Sequence, residues 1–187
     1  MFVKKGHLII ISGPSGVGKG TIKDELMKIE ELNLHFSVSC TTRKPRAGEI
    51  DGVHYYFISH EKFDEMIENN EFLEYAKFVE NSYGTPLKKV EEQLEKGHNI
   101  LLEIEMKGAL QVIEKCPDAI SIFILPPSLE ELESRLRGRG TETEDVILKR
   151  LNQANEDLEM KKYYQYHVVN VTVEKAVEDI KNIVLNH

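Results

Sequence analysis

The chain has 187 residues, 41% of them hydrophobic and 30% charged, with a net charge of −8. That length suits one domain able to bury a real core, with room for a small insertion. The acidic balance argues against general nucleic-acid binding, which relies on dense phosphate neutralisation, but a few clustered cations still suffice for a single nucleotide.

In chain order, the segment before Leu8 leads only into a short apolar run, too short for a secretory signal or a membrane span. Leu8–Ser12 reads as a fully buried strand of the kind parallel sheets require. A glycine-rich turn follows, then a helical pattern with Ile22, Leu26 and Ile29 on one face. The stretch Ser37–Leu87 has few long apolar runs and many turn formers and aromatics. It is expected to be a mostly β insertion, with strand-like pieces at Val53–Ile58, Phe72–Val79 and Ser82–Thr85 and a short helix near Glu61–Glu68. Asn99–Glu103, Ala119–Leu125 and His167–Asn170 are further strand candidates, separated by helical patterns. The frame is therefore α/β, a parallel sheet flanked by helices.

Past Pro126-Pro127, the run Ser128-Leu129-Glu130-Glu131 is a capping box opening a helix that ends at Gly138. Thr143 is expected to cap another, on which Ile147, Leu151, Ala154 and Leu158 share a face. This helical pair carries Arg135, Arg137, Arg139 and Arg150. Arg137 near a helix end has an ordinary use, neutralising the helix C-terminus. Arg139 lies between two glycines, where packing gives no reason for a long cation. Cys40 and Cys116 stand far apart without metal-ligand spacing and read as free thiols of a reducing, cytoplasmic compartment. The histidines form no pair at helical ligand spacing, so no zinc site is expected.

The turn after the first strand reads Gly13-Pro14-Ser15-Gly16-Val17-Gly18-Lys19-Gly20-Thr21, matching G-x-x-x-x-G-K with a strand before and a helix after. In such a P-loop the glycines let consecutive backbone N–H groups point at phosphate oxygens. The helix N-terminus and the Lys19 ammonium add positive potential. The hydroxyl that usually follows the lysine and reaches Mg²⁺ is replaced by Gly20. The metal is then expected to be held mainly by phosphates and water, with Thr21 or one of the strand-end acids Glu103 and Glu105 assisting. The alternative for both acids is simple strand termination.

A second motif is Ser39-Cys40-Thr41-Thr42-Arg43-Lys44-Pro45-Arg46-Ala47-Gly48-Glu49, with Asp51-Gly52 and Tyr55 beyond it. Through it the chain resembles the guanylate kinase family. The resemblance continues at Asn70-Glu71-Phe72-Leu73-Glu74-Tyr75, Tyr83-Gly84-Thr85, Gly138-Arg139-Gly140-Thr141-Glu142 and Val169-Asn170, in the family's order. It implies a P-loop NTPase-type fold in one domain over 1–187. The core would be 1–36, 88–127 and 160–187, with a GMP-binding lobe at 37–87 and a helical lid at 128–159. The implied reaction is ATP-dependent, in-line phosphorylation of GMP, and of dGMP, to the diphosphate in purine metabolism. The implied participants are ATP and GMP as ligands with Mg²⁺ as cofactor, without nucleic acid or membrane. Monomer and homodimer both stay open.

Residue by residue, Arg43, Arg46, Tyr55 and Tyr83 match the family's site for the acceptor phosphate, where arginine forks and tyrosine hydroxyls suit a dianion. Glu74 matches the guanine reader, because one carboxylate accepts from N1–H and N2–H₂ together, whereas adenine would face it acceptor to acceptor. Ser39 and Thr85 look like the hydroxyls that complete base recognition. Glu103 matches an acidic position that also approaches the guanine, and Glu105 stands where aspartate is common. Gly13 to Thr21 and Asn170 match the ATP side. Lys19, Arg43, Arg135, Arg139 and Arg150 would align and neutralise the transferring group. A switch GTPase would need an N-K-x-D guanine reader, which the sequence lacks. A kinase for another monophosphate and a non-enzymatic scaffold module of the same fold are the other readings. Glu74 argues against the first, and the intact P-loop glycines and Lys19 against the second.

Overall fold

The structure is a computed structural model and describes residues 5–78, 80–138 and 143–187. The chain divides into two compact units. One is made of Ile9–Leu34, Glu103–Met106 and Ile120–His187; the other of the segment ending at Leu8, His35–Leu102 and Lys107–Ala119.

In the first unit, strand β1 (Leu8–Ser12) is buried along its whole length, and helix α1 (Lys19–Leu26) follows it. After the short strand β2 (Leu34–Phe36) and the segments of the other unit, the chain returns as β8 (Ile120–Leu125) and β9 (Tyr166–Val169). β8 runs parallel to both β1 and β9, with Ile11 opposite Ile122 and Ile124 opposite Val168. Strands so apolar are stable only when covered on both faces, and helices flank this parallel sheet. Helix α7 (Val173–Leu185) packs on α1. Helices α5 (Leu129–Arg137) and α6 (Glu144–Glu159) meet through Leu132, Leu136 and Ala154, with Leu151 beside them. Ser128 accepts from the Glu131 N–H at 3.1 Å and caps α5 as its sequence indicates.

The second unit carries a four-stranded sheet. Its strands are β3 (Cys40–Thr41), β4 (Tyr56–Phe57), β5 (Phe72–Phe78) and β6 (Asn81–Pro86), in the order β4-β3-β6-β5. β3 and β4 are parallel, whereas β6 is antiparallel to both β3 and β5. Helix α2 (His60–Glu68), capped by the Ser59 hydroxyl, places Phe63 against Cys40 and Phe72, the two rings 4.4 Å apart. Helices α3 (Leu87–Glu95) and α4 (Met106–Lys115) and strand β7 (Asn99–Glu103) complete the element order.

Four expectations need adjustment. α1 ends at Leu26, because the Ile29 N–H bonds back to Leu26 O in a tightened turn, so Ile29 is not on the helical face. The strand expected over Val53–Ile58 shrinks to Tyr56–Phe57. Before it, the backbone curls through Gly52 N–H to Tyr55 O and His54 N–H to Ile50 O bonds. The last strand starts and ends one residue earlier than expected, although the Asn170 N–H still bonds to Leu125 O at 2.8 Å. Thr143 occupies the cap position of α6 without a side-chain capping bond.

Phe63 is fully buried between α2 and the sheet. Phe63→Ala is expected to destabilise the fold by about 3–5 kcal/mol, measured by urea unfolding followed by circular dichroism.

Candidate active site

The phosphate-loop residues belong to the first unit. Gly18 has φ 99° and stands at the cap position of α1, a left-handed conformation that lets the loop turn straight into the helix. Gly16 is equally constrained: a Cβ there would lie 2.7 Å from Leu136 of α5. The loop is tied to the end of β9 by Asn170, whose Nδ2 donates to Val17 O at 2.8 Å. The Asn170 Oδ1 is buried, and among the described residues no donor reaches it. Val17 is fully buried, whereas Ser15 is exposed.

Lys19 folds back over its own loop, donating from Nζ to Gly13 O at 2.6 Å and Pro14 O at 3.0 Å. Burial lowers its pKa, and Glu103, Asp157 and Glu105 oppose that shift by their negative charge. Glu103 lies 3.4 Å from Lys23. A Cβ at Gly20 would stand 3.9 Å from Glu103 Oε1, an ordinary contact, so the acid lies beside the start of α1 without requiring glycine there. Thr21 and Glu105 are exposed.

Among the described residues no group of three His, Cys, Asp or Glu side chains gathers to hold a metal. A P-loop with two partly buried acids near its lysine, Glu103 and Asp157, suits a hard cation that takes most of its oxygens from phosphates and water.

The arginines of the helical pair part company. Arg135 donates from Nε to Glu131 at 2.9 Å and from Nη2 to Asn170 O at 3.1 Å, linking α5 to the loop after β9. Arg137, in the last turn of α5, forks onto Glu144 at 2.5 and 2.8 Å and bonds to Glu133. Arg150 is half-buried on α6. Arg139 lies outside the described residues.

The acceptor-side residues, Glu103 apart, belong to the second unit. Glu74 on β5 stands opposite Thr85 on β6 after a register shift that leaves Leu73 as an extra residue. Such a bulge re-aims the following side chain. Glu74 is only 6% exposed, and its Oε1 accepts from Thr85 Oγ1 at 2.5 Å. Arg43, Tyr55 and Tyr83 come together. The Arg43 guanidinium sits 5.5 Å over the Tyr55 ring, and Tyr55 meets Tyr83 edge-on at 6.0 Å. Ser39 is half-buried just before β3, and its carbonyl accepts from the Tyr56 N–H. Arg46 is exposed. Glu103 is part of the unit that holds the phosphate loop.

One partner went unassigned in the sequence. Glu49 takes the Arg43 fork at 2.8 and 2.9 Å and the Arg46 N–H at 2.7 Å. An acid three residues beyond Arg46, across a turn closed by Gly48 (φ 85°), was the available signal. The Arg43 fork, then the Arg46 N–H, hold the Glu49 carboxyl well below the usual range, at about 2.

The guanylate kinase family model matches residues 5–187. A guanylate kinase of Clostridioides difficile is 57% identical over 184 residues, covering 98% of this chain and 89% of its own. One from Halalkalibacterium halodurans is 55% identical, covering 97% and 88%. Among solved structures, the guanylate kinase of Anaplasma phagocytophilum superposes with a TM-score of 0.76 at 34% identity, over 100% of this chain and 88% of that one. Among the described residues no helix is long and apolar enough to cross a membrane.

The Glu49 carboxyl titrates lower folded than unfolded. Its pairing therefore contributes stability above its ordinary value of 4.5, and that contribution is lost as the pH falls toward about 2. A carboxyl-detected NMR titration is expected to show a midpoint near 2 that rises toward 4.5 in Arg43→Ala without reaching it, because the Arg46 N–H bond remains.

Proposed function

This chain belongs to the guanylate kinase family, and we propose on that premise how its residues divide the work of moving a phosphoryl group from ATP to GMP. The product of the reaction is GDP. The observation that carries the substrate assignment is the buried Glu74 carboxylate, pinned through one oxygen by Thr85. An acceptor-only group out of water favours a base edge rich in donors, which guanine has at N1 and N2 and adenine lacks. Ser39 completes the base contacts. Glu103 is retained as a second acid toward the guanine.

The acceptor phosphate is assigned to Arg43, Arg46, Tyr55 and Tyr83. Glu49 orients the Arg43 fork in advance, and the aromatic face of Tyr55 supports it, so little side-chain freedom is lost when a phosphate arrives. The acceptor oxygen of GMP is already ionised near neutral pH, so no general base is assigned. On the donor side, Gly13 to Thr21 cradle the ATP phosphates through backbone N–H groups. Lys19 exchanges its bonds to Gly13 O and Pro14 O for phosphate oxygens.

Mg²⁺, bound mainly by the nucleotide phosphates and water with Thr21 or Glu105 assisting, supplies charge neutralisation of the donor phosphates. Arg135, Arg139 and Arg150 stabilise the charge on the transferring group during in-line displacement, and Asn170, whose buried Oδ1 has no donor among the described residues, is assigned to the adenine side. We assign 37–87 as the GMP lobe and 128–159 as a lid over the phosphate loop, with 1–36, 88–127 and 160–187 as the core of a single domain. Lid closure would keep water from the donor. No residue is assigned to the ribose 2′-hydroxyl, and dGMP is accordingly proposed as a second acceptor. The free thiols Cys40 and Cys116 suit a reducing cytoplasm.

ADP release measured with GMP, dGMP, AMP and UMP as acceptors is expected to favour GMP over AMP by on the order of 10⁴-fold in kcat/KM. A preference for AMP would overturn the role of Glu74. Lys19→Ala is expected to lower kcat by on the order of 10²–10³-fold while GMP binding, followed by calorimetry, is retained. Undiminished turnover would remove the phosphate loop from the mechanism.

A further inference from the structure

Strand β5 carries Glu74 and lies at the edge of its sheet, so its outward N–H and C=O groups have no strand to pair with. Helix α4 takes that place. The Gln111 amide donates from Nε2 to Tyr75 O at 2.9 Å and accepts from the Tyr75 N–H at 3.2 Å, the two-bond pattern a neighbouring strand would make. One turn further along, Lys115 Nζ donates to Leu73 O at 2.8 Å. One turn earlier on the same face is Gly108. A Cβ at that position would lie 2.4 Å from Glu74 Oε2 and 3.1 Å from its Cδ.

A glycine inside a helix is less favourable than alanine, because it loses more backbone freedom, so its presence calls for a compensating use. Here the missing methyl is the space that the Glu74 carboxylate fills. We propose that Gly108 and Gln111 are positioning residues for base recognition: Gly108 sets how deeply the Glu74 carboxylate sits, and Gln111 fixes the backbone that aims it. The proposal rests on the reading of Glu74 as the group that accepts from the guanine edge. Neither residue touches the base. They act through Oε2 and through the peptide next to Glu74, while Thr85 holds Oε1 from the other side. A carboxylate that must meet two donors at once loses affinity steeply when displaced, because a buried pair is left mismatched.

The test compares GMP with inosine monophosphate, which keeps N1–H and lacks the 2-amino group. Gly108→Ala and Gln111→Met are assayed beside Glu74→Gln. In both α4 variants KM for GMP is expected to rise by on the order of tenfold while kcat and KM for ATP change little. The GMP preference over inosine monophosphate is expected to fall by a similar factor. A Cβ at 108 meets only the end of a flexible side chain, so Gly108→Ala is expected to fold, with thermal unfolding as the check. Should it not fold, Gln111→Met decides alone. An unchanged preference, or equal losses with both acceptors, overturns the proposal. Glu74→Gln separates the two claims. If it keeps the preference, the guanine reading itself fails. If it loses the preference while the α4 variants keep it, only the positioning role falls.

Discussion

A carboxylate taken out of water can only accept hydrogen bonds, so the protein must bring donors to its oxygens and keep other atoms clear of them. Much of the second unit is arranged around that demand at Glu74. The extra residue Leu73 shifts the register so that Glu74 stands opposite Thr85, whose hydroxyl meets Oε1. The missing side chain of Gly108 makes room for Oε2. Beneath the strand, Phe72 and Tyr75 pack on Phe63, which resists any rolling of β5. Packing, register and helix composition therefore all bear on one side chain.

The first unit meets the complementary demand, a site for anions within a chain of net charge −8. The half-buried Lys19 satisfies itself on the Gly13 and Pro14 carbonyls, so its ammonium is not left unpaired in a partly desolvated place. Arg43 is treated likewise in the other unit, where Glu49 holds it. Lys19 is thus held by neutral carbonyls, whereas Arg43 is held by a two-pronged charged partner that fixes its orientation. Arg137 differs because two glutamates flank it, and its work is to join α5 to α6.

How far these features were legible depends on their reach along the chain. β1 declared itself because its apolar residues are consecutive, as a strand of a parallel sheet covered on both faces requires. The Ser128 cap and the P-loop were equally plain, since each is complete within a few residues. The two-residue strands β3 and β4 are too short for any periodicity to register. The end of α1 was set by a tightened turn that its hydrophobic spacing does not encode. Glu74, Thr85, Arg43 and the tyrosines were visible through resemblance, whereas their supports were not. Gln111 reaches Tyr75 across 36 positions, and nothing local marks a helical glutamine as the substitute for a strand. Gly108 carries no local signal either, because only the fold brings the Glu74 carboxylate against it.

The stitch through Asn170 joins more than a loop to a strand. Its side chain holds Val17 in the phosphate loop, and its carbonyl holds Arg135 on α5. One residue is therefore bonded both to the phosphate loop and to the helix beside it. Free-energy coupling between two sites is reciprocal. Were a phosphate at the loop to bind better with α5 in one orientation, it would draw α5 toward that orientation by the same free energy, and Asn170 is the residue bonded to both.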